Sequence, residues 1–402
     1  MRRINPTEFR IAHRGTSREI NRQIALNLVR TRQPISRAEL ARLMGVRRGA
    51  ISRLVQDLLD TGQIFEGEKG ETKRGRKPQY LFLETRRRCV VAVDISASRT
   101  LMQVSDLLGH PLRGLEQLPT PVDPLEIMPA LAACITSALA DKEVVGECLG
   151  IGVSIAGLVD TEQGILLRAP TLGWVDVPLR DPLQEATGLP VVVENNVKAS
   201  MLAQLWAVRS TAAEGPVVFV NISDGVGVGI ALDGQLVRGA RNGAGEFGHM
   251  PLDMDGPLCG CGLRGCWETY ASVGATVARY LGRSASWPDT NPPGITVSEI
   301  AERAHAGEAH ALEVLDVTGA YIARGLSMVI KAVQPARIYM SGEITDAWDI
   351  VLPAVRRVLS ELSLLPEDAD TEIVVVPLAE QPRLRGAAAL VTSPAFAAPV
   401  VA

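Results

Sequence analysis

The stretch HMPLDMDGPLCGCGLRGCWE, residues 249–268, gathers three of the chain's six cysteines beside a histidine. His249, Cys259, Cys261 and Cys266 offer one nitrogen and three sulfurs, the number and type of donors that a tetrahedral zinc ion takes. Gly260, Gly262 and Gly265 let the backbone between them wrap tightly. Four protein ligands leave no open position, so the metal expected here is structural. Metal on one ring nitrogen of His249 fixes the tautomer and leaves the other nitrogen to hydrogen-bond a ligand. Glu246 and Glu268 flank the ligand set and add acceptors for hydroxyl groups. The remaining cysteines, Cys89, Cys134 and Cys148, stand alone in apolar or mixed surroundings, as small buried thiols in a reducing compartment do.

With 402 residues, 47% of them hydrophobic, the chain has material for two or three domains. No apolar run reaches eighteen residues, and the Arg-rich start lacks the apolar stretch of a secretory signal. Membrane and export readings are thereby set aside, and a cytoplasmic location is expected. The net charge of -4 conceals an asymmetry. Residues 1–88 hold 21 of the 41 Lys and Arg but only 9 of the 45 Asp and Glu. A basic head on an acidic body points to a nucleic-acid-binding module joined to something else.

Within the head, residues 33–64 read as two short helices about a tight turn. Ser36 and Glu39 have the spacing of a capping box that starts the first, and Gly45 ends it in the left-handed conformation. Ile51, Leu54, Val55, Leu58 and Leu59 form the apolar stripe of the second, which closes near Gly62, while a helix from about Ile20 to Thr31 supplies a third wall. Arg47, Arg48, Ser52, Arg53 and Gln56 then project from the opposite side, as the residues of a helix-turn-helix that read base edges and phosphates in a major groove do. Residues 64–84 read as a hairpin or wing whose Lys73, Arg74, Arg76 and Lys77 face backbone phosphate or a minor groove. Residues 1–83 are thus expected to be a winged helix-turn-helix, followed by a short hinge at 84–88.

From Cys89 onward strands alternate with helices: CVVAVDIS, RTLMQVSD, a helix from about Pro124 to Asp141, CLGIGVSI and LPVVVE. The alternation recurs after Gly215 with VVFVNIS, GVGIALDG, long helices between about Cys266 and Ala332, ARIYMSG and TEIVVVP. Two α/β lobes with a cleft between them, about 89–195 and 196–402, are the natural architecture.

Five segments, GIGVSIAGLVD, APTLGWVDVPL, VVVENNVKAS, DGVGVGIALDGQLVRGARNGAGEFGHM and CGCGLRGCWE, resemble the ROK family of sugar kinases and regulators. Together with the head, nearly the whole chain is similar to a ROK transcriptional regulator. The resemblance implies an actin-like, ribonuclease-H-like body with a monosaccharide cleft. It implies zinc on His249 and the three cysteines, and sugar contacts from Asn195, Glu246, His249 and Glu268. It also implies double-stranded operator DNA as a partner and a homodimer or tetramer on an inverted repeat, more a repressor than an activator.

Phosphorylating a sugar needs a base for the hydroxyl proton and glycine-lined loops for phosphate. Family kinases carry Glu-Asn-Asp where this chain has Glu194-Asn195-Asn196, and the amide of Asn196 cannot act as that base, although it keeps donors for a sugar oxygen. The first phosphate motif, Asp-x-Gly-Gly-Thr, becomes Asp94-Ile95-Ser96-Ala97-Ser98. Ser223-Asp224-Gly225-Val226-Gly227 places a carboxylate in the second loop, and a third Gly-Gly is reduced to Ser341-Gly342-Glu343. A non-enzyme is expected. The alternatives are a kinase that carries a DNA-binding head, and a regulator controlled by a phosphotransferase or transport protein. Residues 283–300 read as a loop near the cleft or at an oligomer interface.

Overall fold

Apolar residues spaced for one helical face close the head around a small core. The computed structural model describes residues 16–70, 77–141, 146–207, 215–287, 294–365 and 370–396. Helix α1 (Thr16–Arg32), strand β1 (Ile35–Ser36), α2 (Arg37–Met44), α3 (Arg48–Asp60), β2 (Ile64–Lys69) and β3 (Gln79–Leu83) follow in order. Ile51, Leu54, Val55 and Leu58 of α3 are buried with Leu26, Val29 and Leu40. Ser36 caps α2 by accepting from the Glu39 amide at 3.2 Å, and Gly45 ends it at φ 65°. The reciprocal half of the expected capping box is not made: the Glu39 carboxylate lies 3.5 Å from Arg42 instead, an i,i+3 partner on the same exposed face. Strands β2 and β3 pair antiparallel, and β1 adds a short third strand on β3, giving the order β1-β3-β2.

The body begins at Arg88, inside the span expected to be a hinge, leaving residues 84–87 as the connection. Its first lobe contains β4 (Arg88–Ile95), β5 (Thr100–Asp106), β6 (Glu116–Leu118), α4 (Pro124–Ala138), β7 (Glu147–Ile155), β8 (Leu158–Asp160), β9 (Ile165–Ala169), β10 (Trp174–Pro178), α5 (Arg180–Thr187) and β11 (Val191–Asn195). Helix α6 (Asn196–Ala207) leads to the second lobe. That lobe has β12 (Val217–Ile222), β13 (Val226–Leu232), β14 (Gln235–Leu236), α7 (Glu268–Ala271), α8 (Val273–Tyr280), α9 (Val297–His305), α10 (Ala309–Val333), β15 (Arg337–Ser341), α11 (Trp348–Leu362) and β16 (Glu372–Val375).

The two main sheets share one topology, β11-β7-β4-β5-β6 and β14-β13-β12-β15-β16. In each, the first strand lies at the centre, with two antiparallel neighbours on one side and two parallel ones on the other. Parallel neighbours need long crossovers, which helices supply and which cover the sheet faces with apolar side chains. Strands β8, β9 and β10 make a separate small antiparallel sheet.

The final helix, α12 (Pro382–Phe396), departs from the expected division at residue 196, because it returns to the first lobe and packs on β4, β7 and α6. The approach is at backbone distance. A Cβ on Gly386 would lie 2.1 Å from the Ala199 carbonyl oxygen, and one on Gly152 would lie 1.8 Å from that of Ala387. The far end of α12 enters the head, where Phe396 joins the core of α1 to α3. Asn27 donates to the Phe396 carbonyl at 2.6 Å, and Arg30 donates to the Trp206 carbonyl at 2.9 Å with its guanidinium 3.9 Å from the indole centre. Gly386→Ala has no room to relax against backbone, and we expect it to lower unfolding stability by about 1–3 kcal/mol, measured by urea denaturation. Unchanged stability would show that the seam is looser than drawn.

Candidate functional site

The Cys loop is held by two isolated bridges, Pro251 with Cys266 and Leu258 with Arg264. Gly265 sits at φ 66°, where a Cβ would be 1.5 Å from the Asp253 carbonyl oxygen, so only glycine permits this crossing. A 3-10 turn, Glu246–His249, brings the histidine in from the other side. One donor atom from each of His249, Cys259, Cys261 and Cys266 lies within 4.8 Å of all the others. The Cys261 and Cys266 sulfurs are 3.6 Å apart, and Cys259 Sγ is 3.5 Å from His249 Nδ1. Sulfurs on the corners of a zinc tetrahedron stand about 3.8 Å apart, close to these two spacings, so the donor set suits that ion. Burial pushes the Cys259 thiol far above its ordinary range and Cys266 up to about 11. Nδ1 is the ring nitrogen that faces the sulfurs, whereas Nε2 turns toward Glu246, 3.9 Å away.

Glu268 starts α7 directly after the loop and is half-buried. Its Oε1 accepts from Cys259 Sγ at 2.9 Å and lies 3.6 Å from His249 Nδ1, while Gly225 backs onto its Oε2. The hairpin that carries Gly225 also meets α6, since Gly227 lies against the Val197 side chain. The structure therefore brings the α6 N-terminus, the β12–β13 turn and the Cys loop into one neighbourhood. Trp287, from the segment left unassigned between cleft and interface, joins that neighbourhood: its amide donates to the Leu258 carbonyl at 2.8 Å and its ring packs on Gly260.

Asn195 is more constrained than its expected role implies. Its Oδ1 accepts from the amides of Val197 (3.0 Å) and Lys198 (3.2 Å), capping α6, and its Nδ2 donates to the Gly157 carbonyl at 2.9 Å. One Nδ2 hydrogen is left for a ligand. Asn196, half-buried in the first turn of α6, makes no side-chain hydrogen bond among the described residues.

Sequence reasoning missed the polar clamp beneath these residues. Glu194, 1% exposed, accepts from Arg238 Nε and Asn242 Nδ2, each at 3.0 Å, and so ties β11 of the first lobe to the loop after β14 in the second. Lys198 donates to the Asn242 carbonyl. Burial pulls the Lys198 ammonium below its ordinary pKa, with Glu194 and Glu246 opposing. The buried Glu194 was the available signal, but its partners lie 44 and 48 residues away and follow no local pattern.

On the head, Arg47, Arg48, Ser52, Arg53 and Gln56 are all exposed along α3 and the turn before it. Ser52 donates to the Arg48 carbonyl and Gln56 to Asp60. The head's ion pairs among the described residues are Arg18–Asp57, Arg37–Glu66 and Arg42–Glu39, which leave Arg47, Arg48 and Arg53 without a carboxylate partner. Lys77 is exposed beside β3, whereas Lys73, Arg74 and Arg76 lie outside the described residues.

A family model described as "ROK family" matches residues 90–393. The xylose repressor of Bacillus subtilis is 27% identical over 354 residues, which cover 87% of this chain and 89% of that protein. A solved ROK family transcriptional regulator, described as a homolog of the Escherichia coli MLC protein, superposes with a TM-score of 0.77 at 26% identity, covering 95% of this chain and 97% of that one. The ROK family glucokinase of Streptomyces griseus, solved with glucose and AMPPNP, gives a TM-score of 0.63 at 28% identity over 75% of this chain and 98% of its own.

Cys259→Ser removes the donor that faces the histidine. We expect the purified variant to hold far less metal by mass spectrometry than the parent; equal content would remove Cys259 from the ligand set.

Proposed function

Since the chain belongs to the ROK family, we propose that it is a sugar-responsive DNA-binding repressor of carbohydrate genes. Its body has the actin-like fold of that family's sugar kinases. The observation that carries the reading is the pairing, in one chain, of an unneutralised arginine face on α3 with a cleft in which Asp94 of the first phosphate motif is ion-paired to Arg383. The head acts as a winged helix-turn-helix, α3 entering a major groove with Arg47, Arg48, Ser52, Arg53 and Gln56, and the wing following the backbone. Paired heads of a homodimer or tetramer in the cytoplasm would meet two half-sites of an inverted repeat.

Zinc fits the His249, Cys259, Cys261 and Cys266 donors and would supply structural bracing with no catalytic position. The chain's own residues then do the recognition. Glu246, His249 and Glu268 offer acceptors and a ring nitrogen to sugar hydroxyls, and Asn195 and Asn196 offer amide donors. Xylose, from the name of the Bacillus relative, is the first sugar to test.

Three features support binding without catalysis. Asn196 offers no base. Asp94, at the end of β4 where the first phosphate motif lies, is 2% exposed and ion-paired to Arg383 of α12 at 3.3 Å, so an internal cation occupies the carboxylate. Burial raises the Asp94 pKa, with Arg383 and Ser154 opposing. Glu343 keeps Oε2 buried with no hydrogen-bond partner among the described residues, a charge that would repel nucleotide phosphate.

Helix α6 supplies the route from sugar to DNA. Twelve residues long, it spans about 18 Å, with Asn195 capping its cleft end and Trp206 under Arg30 of the head at the other. A sugar that shifts the lobes moves this rod against α1. The decisive test is operator binding by the full chain with and without xylose and common hexoses; failure to bind duplex DNA, or brisk ATP turnover with any of these sugars, sinks the reading. Arg53→Ala should weaken operator binding by about 1–3 kcal/mol more than non-operator binding, and equal loss on both duplexes would make it a phosphate contact. Trp206→Ala should retain sugar binding by calorimetry while blunting the sugar's effect on operator affinity; an intact response would reroute the coupling.

A further inference from the structure

A cavity of about 260 Å³ lies where the head meets the body. Its walls come from four separate places: the end of α1, the turn after β5, the last turn of α6, and α12. Arg30, His110 and Arg385 line it, and among the described residues no aspartate or glutamate does. Two of these side chains have carboxylate partners: Arg385 pairs with Glu380 at 2.7 Å and His110 lies 3.1 Å from Asp106. Arg30 has none among the described residues, and its Nε is buried with no hydrogen-bond partner.

Position and orientation make that guanidinium a receptor group rather than a packing element alone. Stacking on the Trp206 ring and donation to the Trp206 carbonyl fix its plane at the cavity lining before any ligand arrives. Gln33 extends the donor set. Its Oε1 is taken by the Leu83 amide, which leaves its Nε2 hydrogens at the lining. A lining with guanidinium and amide donors and, among the described residues, no acidic group selects an anion with several oxygens.

We propose that this junction is a second ligand site, separate from the interlobe cleft, that takes a small phosphate-bearing metabolite. The volume admits a phosphate with a compact carbon body. Because α1 belongs to the DNA-binding head and the other walls to the body, an anion held here fastens the two together. The site does not depend on the proposed repressor function, and its test needs no DNA.

The experiment is calorimetry on the full chain with glucose 6-phosphate, inorganic phosphate and neutral glucose as probes. We expect saturable binding of the ester or of inorganic phosphate, weakened by about tenfold or more in Arg30→Gln and in the more exposed Arg385→Ala, and kept in Glu268→Gln. Tighter binding of the ester identifies a metabolite and binding of inorganic phosphate alone identifies the free ion; both uphold the site. No saturable heat with either phosphate overturns it, as does binding indifferent to Arg30 and Arg385. Loss in Glu268→Gln also overturns it, since that places the phosphate in the cleft. Should Arg30→Gln fail to fold in thermal melts, Arg385→Ala decides the matter.

Discussion

Helices α6 and α12 touch backbone to backbone, Gly386 against the Ala199 carbonyl and Ala387 against Gly152 of the neighbouring strand. With no long side chain between them to change rotamer, the two helices move as one body. Each leads from the body's interior to the head. Helix α6 starts under the Asn195 cap at the cleft and ends at Trp206; α12 starts at the Arg383–Asp94 pair and ends at Phe396. Trp206 and Phe396 then meet edge to face, 5.1 Å apart, beneath Arg30. The connection from head to body is therefore a packed seam as well as the residues 84–87 that join them in sequence.

The Cys loop performs a comparable service at the other side of the cleft. Tight crossings at Gly265 and the Pro251–Cys266 bridge set where Glu268 begins α7 and where the 3-10 turn presents Glu246 and His249. Arg168 of β9 reaches the Gly260 carbonyl at 3.4 Å, so the small sheet of the first lobe touches a loop of the second. Together with the Glu194, Arg238 and Asn242 clamp, this gives the lobes polar contacts at both β9 and β11.

What was legible in the sequence was local. Ser36 and Gly45 mark the ends of α2 because caps act within one turn, and the apolar stripe of α3 fixes which arginines face outward. The ligand set was legible because His249 and the cysteines lie within eighteen residues, and the strands of both lobes because each is a short run of apolar, β-branched residues. The seam was not legible. Asn27 and the Phe396 carbonyl are 369 residues apart, and no periodicity announces a C-terminal helix that returns to the first lobe and ends in the head. The family resemblance implies a sugar contact for Asn195, yet two of its hydrogen bonds cap α6 and a third goes to the Gly157 carbonyl.

Asp94, at the end of β4, thus has structural work. Asp94 cannot be buried as a lone carboxylate at reasonable cost, and Arg383 supplies the counter-charge. The same pair pins the start of α12, and through α12 the position of Phe396 in the head. In the proposed reading the two-lobed hinge is loaded by sugar at one end of α6 and by DNA at the other. Linkage then requires symmetry of effect: whatever factor the sugar imposes on operator affinity, the operator imposes on sugar affinity. A chain in which the seam transmits in one direction only would contradict the proposed rod at the level of thermodynamics.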